Sequence, residues 1–304
     1  MNRVAALVRV VVGVLICVVL GAALLHLGDR SRNNARFPDP GLRECLSAAG
    51  IEAATASTEA LASVNELRCT HETGRPTETL DGLELLTRLE TFNLVGAGDG
   101  LSMGAISRVS SLTRLVLDDP TLVSCVSIAA ARGLERLTVV GGRVDTVECV
   151  GDLASAPALR ELRLLGVHEL SGGSTSAAPF DQLVGLRTLA INGDLERHSG
   201  SASGSSRGAV AGTDVRSFPG LPPGLTHLSL ADTHLLNLDG IERVDGLETL
   251  DISWTQVTDL SPLTGSAISR LVLSGVPATD FSVLPSMTSL TELSVDATAH
   301  SSAR

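Results

Sequence analysis

The chain has 304 residues, 43% of them apolar, and a mean hydropathy of +0.27, yet it holds one Trp, five Phe and no Tyr. A core so short of rings must be filled by Leu, Val, Ile and Ala. Every one of the 23 basic residues is Arg, against 34 acids, and five of those arginines precede Phe37 with a single acid, so the rest of the chain is more acidic than the overall net charge of −11. An acidic surface with almost no rings for base stacking excludes nucleic acid as a partner.

Residues 1–9 form a short tail with Arg3 and Arg9. Val10 to Leu27 then runs 18 residues without a formal charge, and at about 1.5 Å rise per residue a helix of that length crosses a bilayer core. We read 10–27 as a single transmembrane helix, an uncleaved signal anchor, followed by a juxtamembrane linker at 28–36. The competing reading is a cleaved signal peptide: Gly21-Ala22-Ala23 offers a cleavage site, but Leu24, Leu25 and Leu27 prolong the apolar run past it. Arginines lie on both sides of the segment, so charge bias does not orient it. Cysteine usage does. Cys17 sits inside the apolar run, which leaves the even set Cys45, Cys69, Cys125 and Cys149 for disulfides in an oxidising compartment, and places the following domain on the extracytoplasmic side of the cell membrane. Four buried reduced thiols are the alternative.

Residues 37–63 read as an N-terminal helical cap. Asp39 is the expected N-cap and Pro40 the first helical residue, while Leu42, Cys45, Leu46 and Ala49 form an apolar stripe and Gly50 ends the helix.

From residue 64 to 298 an internal repeat takes over. Ten segments share the spacing apolar-x-x-apolar-x-apolar, with middle residues Leu67, Phe92, Leu115, Leu137, Leu162, Leu189, Leu228, Leu250, Leu271 and Leu293. Eight of the nine steps between them are 21 to 27 residues, and one is 39. Alternate side chains of a strand face opposite ways, so each x-apolar-x-apolar-x stretch is a short strand with its apolar pair turned inward. Such units stack into a solenoid. TDLSPL at 258–263 and TDFSVL at 279–284 supply returning turns.

LETLDISWTQVTDLSPL, at 247–263, resembles the bacterial, internalin-type leucine-rich repeat. The resemblance implies an α/β leucine-rich repeat solenoid of about ten coils with a parallel β-sheet on its concave face, and FPDPGLRECLSAAG resembles the N-terminal cap of such proteins. One departure stands out. The family's turn Asn is replaced by Thr233, Thr255 and Thr298 in some coils and by Ala97, Pro120, Gly142 and Val167 in others, so those coils are expected to be irregular. The long step contains a Gly/Ser-rich flexible insert, 193–217, and a shorter loop runs from His168 to Pro179; each reads either as a binding lip or as a tolerated insertion. Residues 299–304 form a tail, and the last coil has no cap of its own, which makes self-association through that end a further partner expectation.

No catalytic residues emerge and no cofactor is expected. Cys69, His71 and Glu72 have no second cluster at metal-ligand spacing, so no metal site is assigned. His227 and His234 lack a paired nucleophile in sequence. The function that remains is recognition of a protein or peptide by the concave face, with a structural envelope module as the alternative and an enzyme behind both. The residues of that face with binding character are Arg68, Arg114, Val116, Arg136, Val140, Arg163, Leu165, His227, Asp251, Trp254 and Arg270. Arginine among apolar neighbours is the composition of interface cores, though Arg is also this chain's sole basic solubilising residue. Trp254 reads as an interface anchor or as local packing.

Repeat alignment also pairs the cysteines. Cys125 and Cys149 precede the first apolar residue of the next strand motif by nearly the same distance, which makes them equivalent positions on consecutive coils. Stacked coils bring equivalent residues within about 5 Å, inside disulfide range. Cys45 on the cap helix and Cys69 on the first strand form the second pair.

Overall fold

The computed structural model describes residues 36–70, 77–98, 100–145, 147–167, 169–171, 180–193, 215–216 and 220–295. The expected anchor at 10–27, the tails at 1–9 and 299–304 and nearly all of the 28–36 linker lie outside them. Among the described residues no helix is long and apolar enough to cross a membrane.

Each of the ten repeat segments contains a strand. In chain order the strands are β1 (Glu66–Thr70), β2 (Thr91–Gly98), β3 (Arg114–Leu122), β4 (Arg136–Val140), β5 (Arg143–Asp145), β6 (Glu161–Leu165), β7 (Glu169–Ser171), β8 (Thr188–Asn192), β9 (His227–Ser229), β10 (Thr249–Asp251), β11 (Arg270–Val272) and β12 (Glu292–Ser294). Ten of them, all but β5 and β7, form one parallel sheet in sequence order. The register follows the repeat, because Leu67, Phe92, Leu115, Leu137, Leu162, Leu189, Leu228, Leu250, Leu271 and Leu293 stand side by side. All but Leu293 are buried. Each such side chain contributes about 1.5–3 kcal/mol by leaving water, and stacking repeats the gain coil after coil. Aliphatic residues dominate the core, joined by buried Phe37, Phe92 and Phe180.

The chain leaves the sheet through a common corner. Two residues after the last inward side chain of a strand, Gly96, Asp119, Gly141, Gly166, Asp232, Trp254 and Gly275 take the left-handed conformation. There the amides of Gly141, Gly166, Asp232 and Trp254 donate to the carbonyls of Leu165, Asn192, Ser253 and Ser274, each at 2.8 Å. One residue on, buried Thr233 and Thr255 donate their hydroxyls to the Leu230 and Ile252 carbonyls at 2.7 Å, which satisfies those carbonyls within the coil. The coils carrying Pro120, Gly142 and Val167 are ordered in another way. The end of β3 pairs with β5, and β5 with β7, in a second parallel ladder beside the main sheet. Backbone groups that lack a side-chain partner in the turn meet their counterparts on the next coil instead, and part of the loop expected at 168–179 is strand β7.

Few of the returning segments are α-helical. Helices α3 (Val126–Ala129) and α4 (Glu148–Leu153) follow β3 and β5, and the others are single 3₁₀ turns such as Ile241–Arg243 and Ser261–Leu263. The two ends of the predicted insert are part of the packed solenoid. Gly193 is buried and donates to the Ala231 carbonyl at 2.9 Å, Val215 is buried, and the Arg216 carbonyl accepts from Leu236 at 3.1 Å. Residues 194–214 lie outside the described residues.

Helix α1 (Pro40–Ala48) packs against the first strand, and helix α2 (Thr58–Ala62) against the 3₁₀ turn Leu83–Leu85. Asp39 is the N-cap, as its position before Pro40 implies, and its carboxylate reaches further than a cap requires. One oxygen accepts from the Leu42 amide at 2.7 Å, and the other accepts from Glu78 at 2.8 Å and Thr79 at 3.2 Å. Ala49 departs from the expected stripe: the helix ends at Ala48, its buried face is Gly41, Leu42, Cys45 and Leu46, and Ala49 is the exposed C-cap. Disulfides join Cys45 to Cys69 and Cys125 to Cys149, with Cα separations of 4.9 and 4.6 Å. The first ties α1 to β1, and the second ties the start of α3 to α4. At the other end of the sheet, Leu293 and Val295 occupy inward positions but are 42% and 47% exposed.

Candidate binding face of the sheet

The side of the sheet opposite the leucine row carries three parallel rows of side chains, fixed by the strand register. The first holds Thr91, Arg114, Arg136, Glu161, Thr188, His227, Thr249, Arg270 and Glu292. The second holds Arg68, Asn93, Val116, Thr138, Arg163, Ala190, Ser229, Asp251 and Val272. The third includes Asp118, Val140, Leu165 and Asn192.

This register divides the arginines of the early coils between two rows. Arg114 and Arg136 are neighbours in the first row, Arg163 lies in the second row one strand further, and Arg68 is separated from Arg163 by three strands. All four are exposed, Val140 is exposed, and Val116 and Leu165 are half-buried beside them. Glu161, which the sequence reading did not single out, joins two of the arginines. Its carboxylate receives Nε of Arg163 and lies 3.4 Å from Nε of Arg136, while Nε of Arg114 donates to Thr91 Oγ1 at 2.8 Å. The signal was present in ELRL, since Glu161 and Arg163 are two apart on a strand and therefore share a face.

Beyond β8 the face changes character. Asn192 is buried and its side-chain oxygen accepts from Ser229 Oγ at 2.8 Å and from the Ala231 amide at 3.2 Å. Asp251 accepts from the Ser253 amide and hydroxyl at 2.9 and 2.6 Å, and Arg270 pairs with Glu292. His227 is exposed, with Nδ1 at 2.8 Å from Thr226 Oγ1. These polar groups are satisfied among themselves, and the exposed arginines that stand close together on adjacent strands are those of β3, β4 and β6.

Trp254 occupies a rim corner with φ 57°, and the space it needs is supplied by Gly275 of the next coil, where a Cβ would stand 2.4 Å from the indole Cε3. The ring is half-buried against that glycine, so local packing accounts for much of its surface. Cys69 is consumed by its disulfide and buried, while His71 and Glu72 lie outside the described residues. Among the described residues no group of three or more His, Cys, Asp or Glu side chains could hold a metal ion. Clefts of about 220 and 250 Å³ open between returning segments, one bordered by Val244 and Ile268, the other by Leu159 and Leu186, away from the open face.

The charges that shift lie on the returning side. Hydrogen bonding from the Ser261 amide and then its hydroxyl holds Asp259 below the ordinary carboxylate value, and Ser282 does the same for Asp280. Arg108 is raised by its bond to Asp81 and by the nearby Glu84.

Among solved structures, an internalin (inlF) from Listeria monocytogenes superposes with a TM-score of 0.56 at 18% identity, over 86% of this chain and 77% of its own. Internalin C2 (inlC2) from the same organism gives 0.49 at 16% identity, over 87% and 96%. No protein-family model matches the chain, and no curated protein matches it in sequence. The likeness to the first structure shows the fold, an internalin-like leucine-rich repeat solenoid.

Proposed function

We propose that the chain is a membrane-anchored, extracytoplasmic binding module that recognises a protein or peptide on the open face of its sheet. The observation that carries this reading is the face itself: ten strands wide, with Arg114, Arg136, Arg163, His227 and Arg270 exposed along it. Side chains whose backbone positions are fixed by the strand ladder need no backbone rearrangement to meet a ligand, which lowers the entropic cost of binding. The membrane placement is supported by the uncharged run at 10–27, and the outward orientation by two disulfides, which persist in oxidising compartments.

The test is selection of peptides from a random displayed library on the full-length chain in detergent micelles, followed by hydrogen-exchange footprinting of the tightest binder. Protection of amides in the β3–β10 strands supports the reading, whereas protection confined to the returning turns overturns it. A second reading, self-association through β12, is favoured by the exposed Leu293 and Val295. Mass that rises with concentration, and falls when both are changed to Ser, separates it from the first.

A further inference from the structure

The three arginines of the β3–β6 region share an arrangement that their sequence spacing does not disclose. Nε of Arg114 donates to Thr91 Oγ1 and Nε of Arg163 to one oxygen of Glu161, while Nε of Arg136 faces the other oxygen in an ion pair at 3.4 Å. Among the described residues no hydrogen bond or ion pair engages their terminal guanidinium nitrogens, and the Arg136 and Arg163 side chains remain about half exposed, at 54% and 48%. Arg114 and Arg136 are register partners on adjacent strands, roughly 4.8 Å apart by sheet geometry. Arg163 stands beside Thr138 on the next strand.

A guanidinium fixed at Nε can offer both terminal nitrogens to one carboxylate in a planar fork, a geometry Lys cannot reproduce. Tethering the side chains beforehand reduces the entropy lost when they are engaged. Three such cations against Glu161 and, on the same face of β3, Asp118 leave a local positive charge on a protein whose net charge is −11.

We propose, resting on the reading of the open face as a binding surface, that Arg114, Arg136 and Arg163 form a preorganised cradle for an acidic peptide segment. Val116 and Leu165 lie half-buried beside the cradle and provide apolar contact for the side chains between the acids. A short acidic segment, no longer than the patch, places its carboxylates on the forks without running past them. A phosphate polymer does not fit, since its charges continue beyond the patch over an acidic surface.

The experiment titrates fluorescein-labelled hexaglutamate into the full-length chain in detergent micelles and reads anisotropy. Wild-type chain should bind it, and Arg114→Gln, Arg136→Gln and Arg163→Gln combined should weaken binding roughly tenfold or more, the scale of three exposed ion pairs. Arg108→Gln, on the returning side, should leave it unchanged. The triple Arg→Lys variant keeps the charge and loses the fork, so it should bind severalfold more weakly than wild type. A far-ultraviolet circular dichroism spectrum and thermal midpoint matching wild type show that each variant is folded. Hexaglutamate binding that is absent, or equal in wild type and the triple Gln variant, overturns the cradle. Equal binding by wild type and the triple Lys variant overturns the fork geometry. If library peptides without acids protect the sheet while hexaglutamate does not bind, the cradle fails and the binding-face reading stands.

Discussion

Removing the Asp39 carboxylate should unfasten the cap from the repeats. Its two oxygens accept from three backbone amides, Leu42 at 2.7 Å, Glu78 at 2.8 Å and Thr79 at 3.2 Å, and the residue is 3% exposed. In Asp39→Ala all three donors lose their partner. An N-cap loss of about 1 kcal/mol, with about 0.5–1.5 kcal/mol for each of the two part-buried amides that water can reach, gives an expected loss of roughly 2–4 kcal/mol. Asp39→Asn keeps the shape but offers one oxygen where two are used. Its amide group must face either Leu42 or the Glu78 and Thr79 pair, so about half of that loss should remain. Because repeat proteins unfold locally, the suitable readout is hydrogen exchange of the α1 amides, where about 1.4 kcal/mol is a tenfold change in protection. The effect should be largest with the Cys45–Cys69 bridge reduced, since that bridge holds the same helix. Protection of α1 in Asp39→Ala within about twofold of wild type, bridge reduced, would refute the assignment of the three amides to this carboxylate.

The Cys125–Cys149 bridge closes a separation of 24 residues, and replacing both cysteines by Ala should lower stability by about 3 kcal/mol in the chain-entropy account, checked by the urea midpoint. Gly275→Ala meets two penalties, φ +71° and a Cβ 2.4 Å from the Trp254 ring, and should lose about 1–3 kcal/mol. As Trp254 is the only Trp, its fluorescence should shift in this variant, and adding Trp254→Gly should restore part of the stability. The carboxylates of Asp259 and Asp280 have folded values below their unfolded ones, so the stability they add is present above about pH 4 and is lost as pH falls through the lowered folded values. Exchange protection of the Ser261 and Ser282 amides should therefore drop on acidification, and Asp259→Asn should remove that pH dependence at Ser261.

The repeat was legible because one rule, an apolar pair every other residue recurring in each coil, sets both the core and the register. Leu115 and Leu137 must lie side by side once both are known to point inward, and the pairing of Cys125 with Cys149 follows from the same stacking. What the pattern does not encode is how a turn satisfies its backbone. Pro120 and Gly142 read as interruptions, yet the chain beyond each runs extended and pairs as β3 with β5. A Cβ on Gly142 would stand 2.2 Å from the Pro120 carbonyl oxygen, so the Gly is what lets the two coils approach closely enough for that ladder. The triple role of Asp39 was hidden for a related reason. The cap hydrogen bond to Leu42 is local, whereas Glu78 and Thr79 lie about 40 residues on, and no periodicity links them.

The candidate face was legible only as a set of outward positions. Outward strand positions follow from alternation, and so Arg114, Arg136 and Arg163 were identified as surface residues from sequence. Which of them act together depends on the offset between neighbouring strands and on Glu161, whose carboxylate is shared across a strand boundary. That sharing changes the electrostatic meaning of the patch. Two of its three cations already share the Glu161 carboxylate, so the patch is less a source of long-range field than a set of oriented donors. In an acidic protein this difference matters: at physiological ionic strength fields decay over about 8 Å, so the acidic surroundings are screened from an approaching partner while contacts at hydrogen-bond distance are not. Specificity on such a face rests on where the guanidinium forks point, which is set by Thr91 and Glu161 rather than by the number of arginines.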